Sequence, residues 1–425
     1  MPNDKRIAIE RIWYIFLFVL LFASLVLFIV HDSISTVWAV YSRIYFGLLL
    51  LYTWFIFILL FIGEIKKDRA VDADPPPDTK VGVIVPVYNE GPELLIKAIK
   101  SVVETNGNKI IYIVDDGSTS TACKRVLRHI AENTDIQVHF FETNKGKRHA
   151  LYHGVKVLVD QVDFIITIDS DTVLDQNALR YIIRPFSDPK VGATSGEVRL
   201  INEKENLLTR MVGAYYWIGL HIYKRAQSSL GIVVCCSGCL SAYRASVIRD
   251  IIDDFVNQKF FGEACTHSED RHLTNLVLKR GYHVKFIPEA ISYTETPSTL
   301  KGFLKQQQRW KRGYVRESIY TLTYAWKTRP VLFCEILLWE LTIPYLSFGL
   351  MIGLFVSIFA DPKLFLTEIL PAWIIFMVVR YIHIFFYAKK KIPGLLIYML
   401  FYDLFLYWQS IYALFTVKNK SWMTR

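Results

Sequence analysis

Two uncharged apolar runs near the N-terminus, residues 12–30 and 44–63, constrain this chain more than any other feature. Each approaches the ~20 apolar residues that a helix needs to cross a bilayer core, so both are expected to span a membrane. Lys5, Arg6 and Arg11 precede the first run, and Lys66, Lys67 and Arg69 follow the second. Basic residues gather on the cytoplasmic side of spans, which places the middle of the chain in the cytoplasm. A cleaved signal peptide is the alternative for the first run, but no small-residue cleavage site follows it. Three further hydrophobic stretches, 331–360, 369–388 and 395–417, lie toward the C-terminus. Lys389, Lys390 and Lys391 on one side and Lys418, Lys420 and Arg425 on the other leave the last stretch basic at both ends. That conflicts with simple alternation across a bilayer, so one of the three is expected not to cross fully. With 52% hydrophobic residues over 425 positions, an ordinary soluble protein is excluded.

Between these blocks the composition changes. The proline-rich VDADPPPDTK marks a boundary, after which short apolar runs alternate with helical patterns. KVGVIVPVYNE, KIIYIVDDGS and DFIITIDSD read as strands. GPELLIKAIKSVVET reads as a helix with Leu94, Leu95, Ala98, Ile99, Val102 and Val103 on one face. The alternation predicts a mostly parallel sheet with helices on both faces, whose ligands bind beyond the carboxyl ends of the strands. Residues 300–326, basic with interleaved aromatics, read as one or two helices at a membrane surface, or as a solvated surface helix.

The strand ends carry the chemistry. TIDSDTV places Asp169 and Asp171 two apart, on one side if the strand persists. Two such carboxylates repel unless a cation joins them, and Mg2+ or Mn2+ is commonly held by one or two carboxylates plus substrate phosphates. Ordinary strand-end acids are the plainer reading of that pair alone. Asp115, Asp116 and Gly117 end a neighbouring run, and Lys145, Lys147 and Arg148 surround Gly146 at a helix start, where backbone N–H groups also favour anions. Acids, glycine and bases at one sheet edge together describe a nucleoside diphosphate pocket. Glu269 and Asp270 precede a helix, as a cap or as a general base acting on a sugar hydroxyl. His267 and His272 read as structural. Cys236, Cys239, Cys265 and His267 permit the sketch of a zinc site, against the reading of GIVVCCSGCLSAYR as a buried strand and turn. In QQQRW, Arg309 can fork onto phosphate oxygens, Gln306 can bond neutral oxygens, and Trp310 offers a face to a sugar ring. The formal charge of +10 suits a phosphate-bearing substrate or anionic lipid, and no nucleic-acid partner is expected.

The order DDGS, DSD, SED, QQQRW resembles that of the processive membrane glycosyltransferases of family 2, which include cellulose, chitin and hyaluronan synthases. NKGKRHA, VCCSGCLSAYR, EDRHLTNLVLKRGY and KQQQRWKRGYVRES are most similar to hyaluronan synthase segments. The resemblance implies an α/β fold: a cytoplasmic GT-A (Rossmann-like) catalytic domain embedded in an α-helical transmembrane protein with interfacial helices. Expected boundaries are 1–70 for an N-terminal helix pair and 71–297 for the catalytic domain. Interfacial helices follow at 298–330, transmembrane or re-entrant helices at 331–417, and a cytoplasmic tail at 418–425. The resemblance further implies UDP at Tyr88, Glu90, Asp115, Asp116 and Lys147, the diphosphate on Arg309, and metal on Asp169 and Asp171. It implies Asp270 as the base and an acceptor along Ser237, Gly238, Cys239, Gln306 and Trp310. UDP-GlcNAc and UDP-GlcA would be polymerised into hyaluronan, which leaves through the membrane helices among lipid; a chitin-type product from a single UDP-sugar is the alternative. The chain departs from the family pattern at Ser268-Glu269-Asp270 in place of GDD, at Cys239 in place of proline, and at Trp422-Met423-Thr424-Arg425 in place of WGTR. Reaction type is therefore better determined than product.

Overall fold

A computed structural model describes residues 37–67, 75–76, 78–371, 373–374, 388–398, 401 and 406–419. The apolar run at 12–30, its basic flank, most of 369–388 and the last residues of the tail lie outside the described residues.

Residues 80–294 contribute the strands of an eight-stranded sheet of order β3-β2-β1-β4-β7-β6-β10-β5. Its strands are β1 (Lys80–Val87), β2 (Asn108–Asp115), β3 (Gln137–Phe140), β4 (Phe164–Thr167), β5 (Val173–Leu174), β6 (Val191–Leu200), β7 (Ser241–Arg244) and β10 (His283–Thr294). A separate hairpin pairs β8 (Lys259–Phe260) with β9 (Glu263–Ala264). β1 is buried at every position after Lys80, as befits a central strand covered on both faces. β1, β2, β3 and β4 are mutually parallel. β7 runs antiparallel between β4 and β6, and β5 antiparallel to β10, so the sheet is more mixed than strand–helix alternation predicts. In the β1–β2 register Val87 lies opposite Asp115, which sets the carboxyl ends of these strands side by side.

The covering helices are those whose apolar faces the sequence displays. We number the first described helix α1 (Val37–Lys67) and the next α2 (Pro92–Glu104). α2 buries Leu95, Ala98, Ile99 and Val102, whereas Val103 is exposed and Ser101 is buried in its stead. The Ser101 hydroxyl is satisfied there: it donates to the Ala98 carbonyl at 2.7 Å and accepts from the Leu174 N–H at 2.9 Å. α3 (Thr121–Asn133), α4 (Lys147–Leu158), α5 (Ala178–Ile183), α6 (Leu207–Ile218), α7 (Arg225–Ser229), α8 (Ala245–Val256) and α9 (Glu269–Lys279) complete the domain.

Residues 300–326, expected as one or two helices at a membrane surface or as a solvated surface helix, lie within a single helix, α10 (Leu300–Thr328). It does not merely lie on a surface. Its Glu317 carboxylate is fully buried, bonded to His272 Nδ1 at 2.9 Å, to Gln258 Nε2 at 2.7 Å and to Asn275 Nδ2 at 3.2 Å. Thr321 Oγ1 donates to Asn275 Oδ1 at 2.8 Å. This satisfied polar seam locks α10 against α9, since a buried charge is tolerated only when paired.

Among the described residues, two segments are long and apolar enough to cross a membrane, Ile44–Gly63 within α1 and Pro330–Ala360. The second is interrupted: α11 (Pro330–Glu335), a π-helical turn (Ile336–Glu340) and α12 (Ile343–Ala360). Tyr52 of α1 stacks on Trp339 with ring centroids 4.2 Å apart and donates to Glu335 at 2.9 Å, joining the two segments. Further helices toward the C-terminus are α13 (Pro362–Leu364), α14 (Ile392–Ile397) and α15 (Trp408–Phe415); α14 packs on α6 and α15 on α10. Lys311 Nζ donates to Ser410 Oγ at 3.0 Å, and Gln409 Nε2 to the Leu304 carbonyl at 3.3 Å. A helix of 8 residues is about 12 Å long, well short of a bilayer core.

Candidate active site

The loops after β1 and β2 brace one another before they form a wall. Asn89, at φ 52°, accepts the N–H groups of Thr119 and Ser120 at 2.7 and 2.9 Å. Asn is one of the few residues that tolerates the left-handed region with such local bonds. Gly117, at φ 70°, passes so close to the Thr143–Asn144 backbone that a Cβ would overlap it. Asp115 Oδ1 accepts from the Ser118 N–H at 3.1 Å, and Glu90 Oε2 from the Ser170 hydroxyl at 2.7 Å. These bonds brace the two loops, and neither carboxylate is among the residues lining the cavity. Tyr88 and Asp116 stand on the wall. Asp116 accepts the N–H groups of Lys145 and Gly146 at 2.8 and 3.1 Å; burial raises its pKa and those bonds oppose the rise.

The wall encloses a cavity of about 1030 Å³. Asp169 and Asp171 both line it, although not through strand alternation: β4 ends at Thr167 and the two acids sit on a turn closed by the Thr172 N–H to the Asp169 carbonyl at 3.1 Å. Lys147, in the first position of α4 after Gly146 at φ 90°, holds Asp169 and, at 3.1 Å, Glu269. Burial works against its charge, but Asp169 and Glu269 outweigh burial and raise its pKa. Its neighbour Arg148 turns away, donating to the Phe255 carbonyl at 2.7 Å and to Gln258 at 2.9 Å. Across from Lys147, a Cβ on Gly238 would stand 2.9 Å from Asp169 Oδ2, so only glycine brings the 237–239 loop this close. Ser237 Oγ accepts from Lys224 at 2.7 Å, and burial beside Asp169 and Asp171 pushes the Cys239 thiol pKa up.

Asp270 opens α9 beneath this group. Burial, reinforced by Glu269, raises its pKa, while Lys147 counters; Oδ2 lies 3.7 Å from Cys235 Sγ. Burial would raise Glu269 as well, but Lys147 and Arg309 bring it down to about 2. Ser268, the residue ahead, takes φ 61°, ψ 39° without a side-chain cap, a conformation that costs a non-glycine residue about 1 kcal/mol.

On α10, Gln306, Arg309, Trp310 and Tyr314 recur at helical spacing and line the same cavity. Trp310 meets Tyr216 at a centroid distance of 6.3 Å. Beyond them the wall continues through Trp339, Glu340, Tyr345 and Tyr407, so one space connects the acid-rich end to the apolar helices. Sequence reasoning missed Lys224, Tyr216, Tyr314 and Glu340. The helical spacing from Trp310 could have marked Tyr314, whereas nothing in the local pattern marks Lys224, Tyr216 and Glu340, which are brought in by elements distant in sequence.

Among the described residues no group of three or more His, Cys, Asp or Glu is placed to hold a metal ion, which removes the zinc sketch. Cys236 is instead a core residue whose N–H donates to Thr274 at 2.8 Å. Asp169 and Asp171 are two hard oxygen donors open to one cavity, and that set fits a divalent cation whose remaining ligands come from phosphate and water.

The profile described as "Glycosyltransferase like family 2" matches residues 76–313. An N-acetylglucosaminyltransferase of Rhizobium leguminosarum bv. viciae is 30% identical over 371 residues, 85% of this chain and 85% of that protein. A hyaluronan synthase of Streptococcus pyogenes is 33% identical over 360 residues, 82% of this chain and 84% of that protein. Among solved structures, the mannosyltransferase PcManGT from Pyrobaculum calidifontis, in complex with GDP-Man and Mn2+, superposes with a TM-score of 0.60 at 18% identity, covering 85% of this chain and 97% of that one. That likeness concerns the GT-A-like α/β fold. The profile spans more than half the chain and two kinds of curated transferase match most of its length, so the chain belongs to the family 2 glycosyltransferases.

Proposed function

We propose that this protein is a processive, inverting, multi-pass membrane glycosyltransferase that polymerises UDP-GlcNAc and UDP-GlcA on the cytoplasmic side and exports a hyaluronan-type chain. The observation that carries the reading is the single cavity linking Asp169, Asp171 and Asp270 to the aromatic residues of α10 and the apolar segments. The acceptor hydroxyl attacks the anomeric carbon of an α-linked UDP-sugar, its proton passes to an Asp270 carboxylate oxygen, and the C1–O bond breaks with its electron pair left on the diphosphate. A buried carboxylate with a raised pKa suits that task. Tyr88 and Asp116 would face the nucleoside, with Asp115 and Glu90 bracing their loops, while Lys147 and Arg309 neutralise the leaving diphosphate. Mg2+ or Mn2+ on Asp169 and Asp171 would add positive charge beside that leaving group. Ser237, Gly238, Cys239, Gln306 and Trp310 would line the acceptor, the indole stacking on a sugar face.

A chitin-type synthase using UDP-GlcNAc alone is the second reading, favoured by the N-acetylglucosaminyltransferase relative, which matches as much of the chain. Membranes containing the protein are incubated with each UDP-sugar and then both. A long product formed only from both, and digested by a hyaluronan-specific lyase, is expected; a long product from UDP-GlcNAc alone establishes the second reading instead. Asp270→Asn should abolish polymer while UDP still binds.

A further inference from the structure

The turn that presents Asp270 is held from one side by a single helix. Ser268 is in the left-handed region immediately before α9, and Gly313 of α10 lies directly against it. A Cβ built on Gly313 would overlap Ser268 Oγ outright and stand 2.6 Å from Ser268 Cβ, whereas the next atom, His267 Cδ2, is 3.9 Å away. The contact is therefore one residue against one residue. Rotating the hydroxyl would clear Oγ but not Cβ, so a side chain at 313 must shift the Ser268 turn and α10 relative to one another. α10 grips the same turn one helical step later: the Arg316 guanidinium donates to the His267 carbonyl. On the far side of Asp270, Arg271 is held by Ser318 of α10 and by Glu340, and lies over the Tyr314 ring at 4.7 Å.

Resting on the reading of Asp270 as the base, we propose that Gly313 is a positioning residue for the transfer reaction, matched to Ser268, and that the missing Cβ at 313 sets where Asp270 enters the cavity. Neither residue needs to touch substrate. The pairing predicts a specific pattern of rescue that loss of a generic helix contact would not produce.

The test compares Gly313→Ala, Ser268→Gly, Ser268→Ala and the two double variants in full-length protein in membranes. It reads kcat and KM for polymer formation, and UDP affinity. Gly313→Ala should lower kcat by about 10²-fold, the scale of a misplacement near 1 Å, with UDP affinity retained. In the Gly313→Ala background, Ser268→Gly should restore kcat to the level of Ser268→Gly alone. Ser268→Ala, which keeps the Cβ, should restore it only in part. Wild-type kcat in Gly313→Ala, or a double variant no better than Gly313→Ala, overturns the proposal. Should Gly313→Ala fail to fold, the Ser268→Gly double variant still decides, by folding and turning over or by not doing so. Asp270→Asn separates the two levels: an active variant removes the base assignment but leaves the rescue ratio between 268 and 313 as measured.

Discussion

Two adjacent carboxyl groups, Glu269 and Asp270, share one helix start and are driven in opposite directions by their neighbours. Burial raises both, but Glu269 receives the Lys147 ammonium at 3.1 Å and falls to about 2, so it stays ionised. Asp270 then feels burial and the fixed negative charge of Glu269 together, and its pKa rises. A base must be ionised to accept a proton, so activity should appear as pH rises through the pKa of Asp270. The acid limb of kcat/KM is therefore expected above the ordinary aspartate range. Glu269→Gln removes a negative neighbour, lowers the Asp270 pKa and should move that limb to lower pH. Lys147→Met removes a positive one and should move it higher. Rate–pH profiles of the three proteins check this; a Glu269→Gln limb displaced upward would mean that the charge order at the helix start has been misassigned.

At the scale of elements, what the sequence displayed was periodicity, and what it concealed was partnership between distant segments. β1, β2 and β4 and the buried face of α2 are legible because short apolar runs and helical periodicity set them. The antiparallel setting of β7 is not, since its neighbours β4 and β6 are chosen by the whole sheet. The site shows the same division. Asp169, Asp171, Asp270, Arg309 and Trp310 stood out in short motifs, while the bracing roles of Glu90 and Asp115 depend on Ser170 and Ser118. α10 is the sharpest case: its basic, aromatic sequence reads as a surface helix, yet Glu317 is fully buried. Burial resists that charge, but His272, Arg316 and Gln258 outweigh burial and hold the pKa at about 2, against the ordinary glutamate value of 4.5. A carboxyl depressed on folding contributes stability above its unfolded pKa and loses it as pH falls through the folded one. Its contribution should be complete above pH 4.5 and vanish toward pH 2. Glu317→Gln should lower stability at neutral pH by about 3 kcal/mol and flatten the acid limb of the melting temperature between those pH values. Unchanged melting of the purified variant at neutral pH would show that the seam between α9 and α10 is held by its apolar contacts.

For the whole molecule, the decisive contacts tie C-terminal segments back to the catalytic domain. Lys391 pairs with Glu203 ahead of α6, and a Cβ on Gly394 would overlap the Arg210 carbonyl, so the turn Lys389–Lys391 and α14 sit on the domain itself. α15 lies along α10. The basic turn that conflicts with simple alternation is thereby placed on the same side as the catalytic domain, which the positive-inside tendency also favours. α12, at 18 residues, is about 27 Å long, near the thickness of a bilayer core, so Asp361 should emerge on the opposite side. With the exposed Cys334 replaced by serine, cysteines introduced one at a time at Lys190, Lys390 and Asp361 report the arrangement through a membrane-impermeant thiol reagent. In inverted vesicles Lys190→Cys and Lys390→Cys should both be labelled and Asp361→Cys protected, and right-side-out vesicles should give the reverse. Labelling of Lys390→Cys from the side opposite to Lys190→Cys would contradict the Lys391–Glu203 tie. Labelling of Asp361→Cys together with Lys190→Cys would mean that α12 enters the bilayer without crossing it, and the export route would have to be formed by other segments.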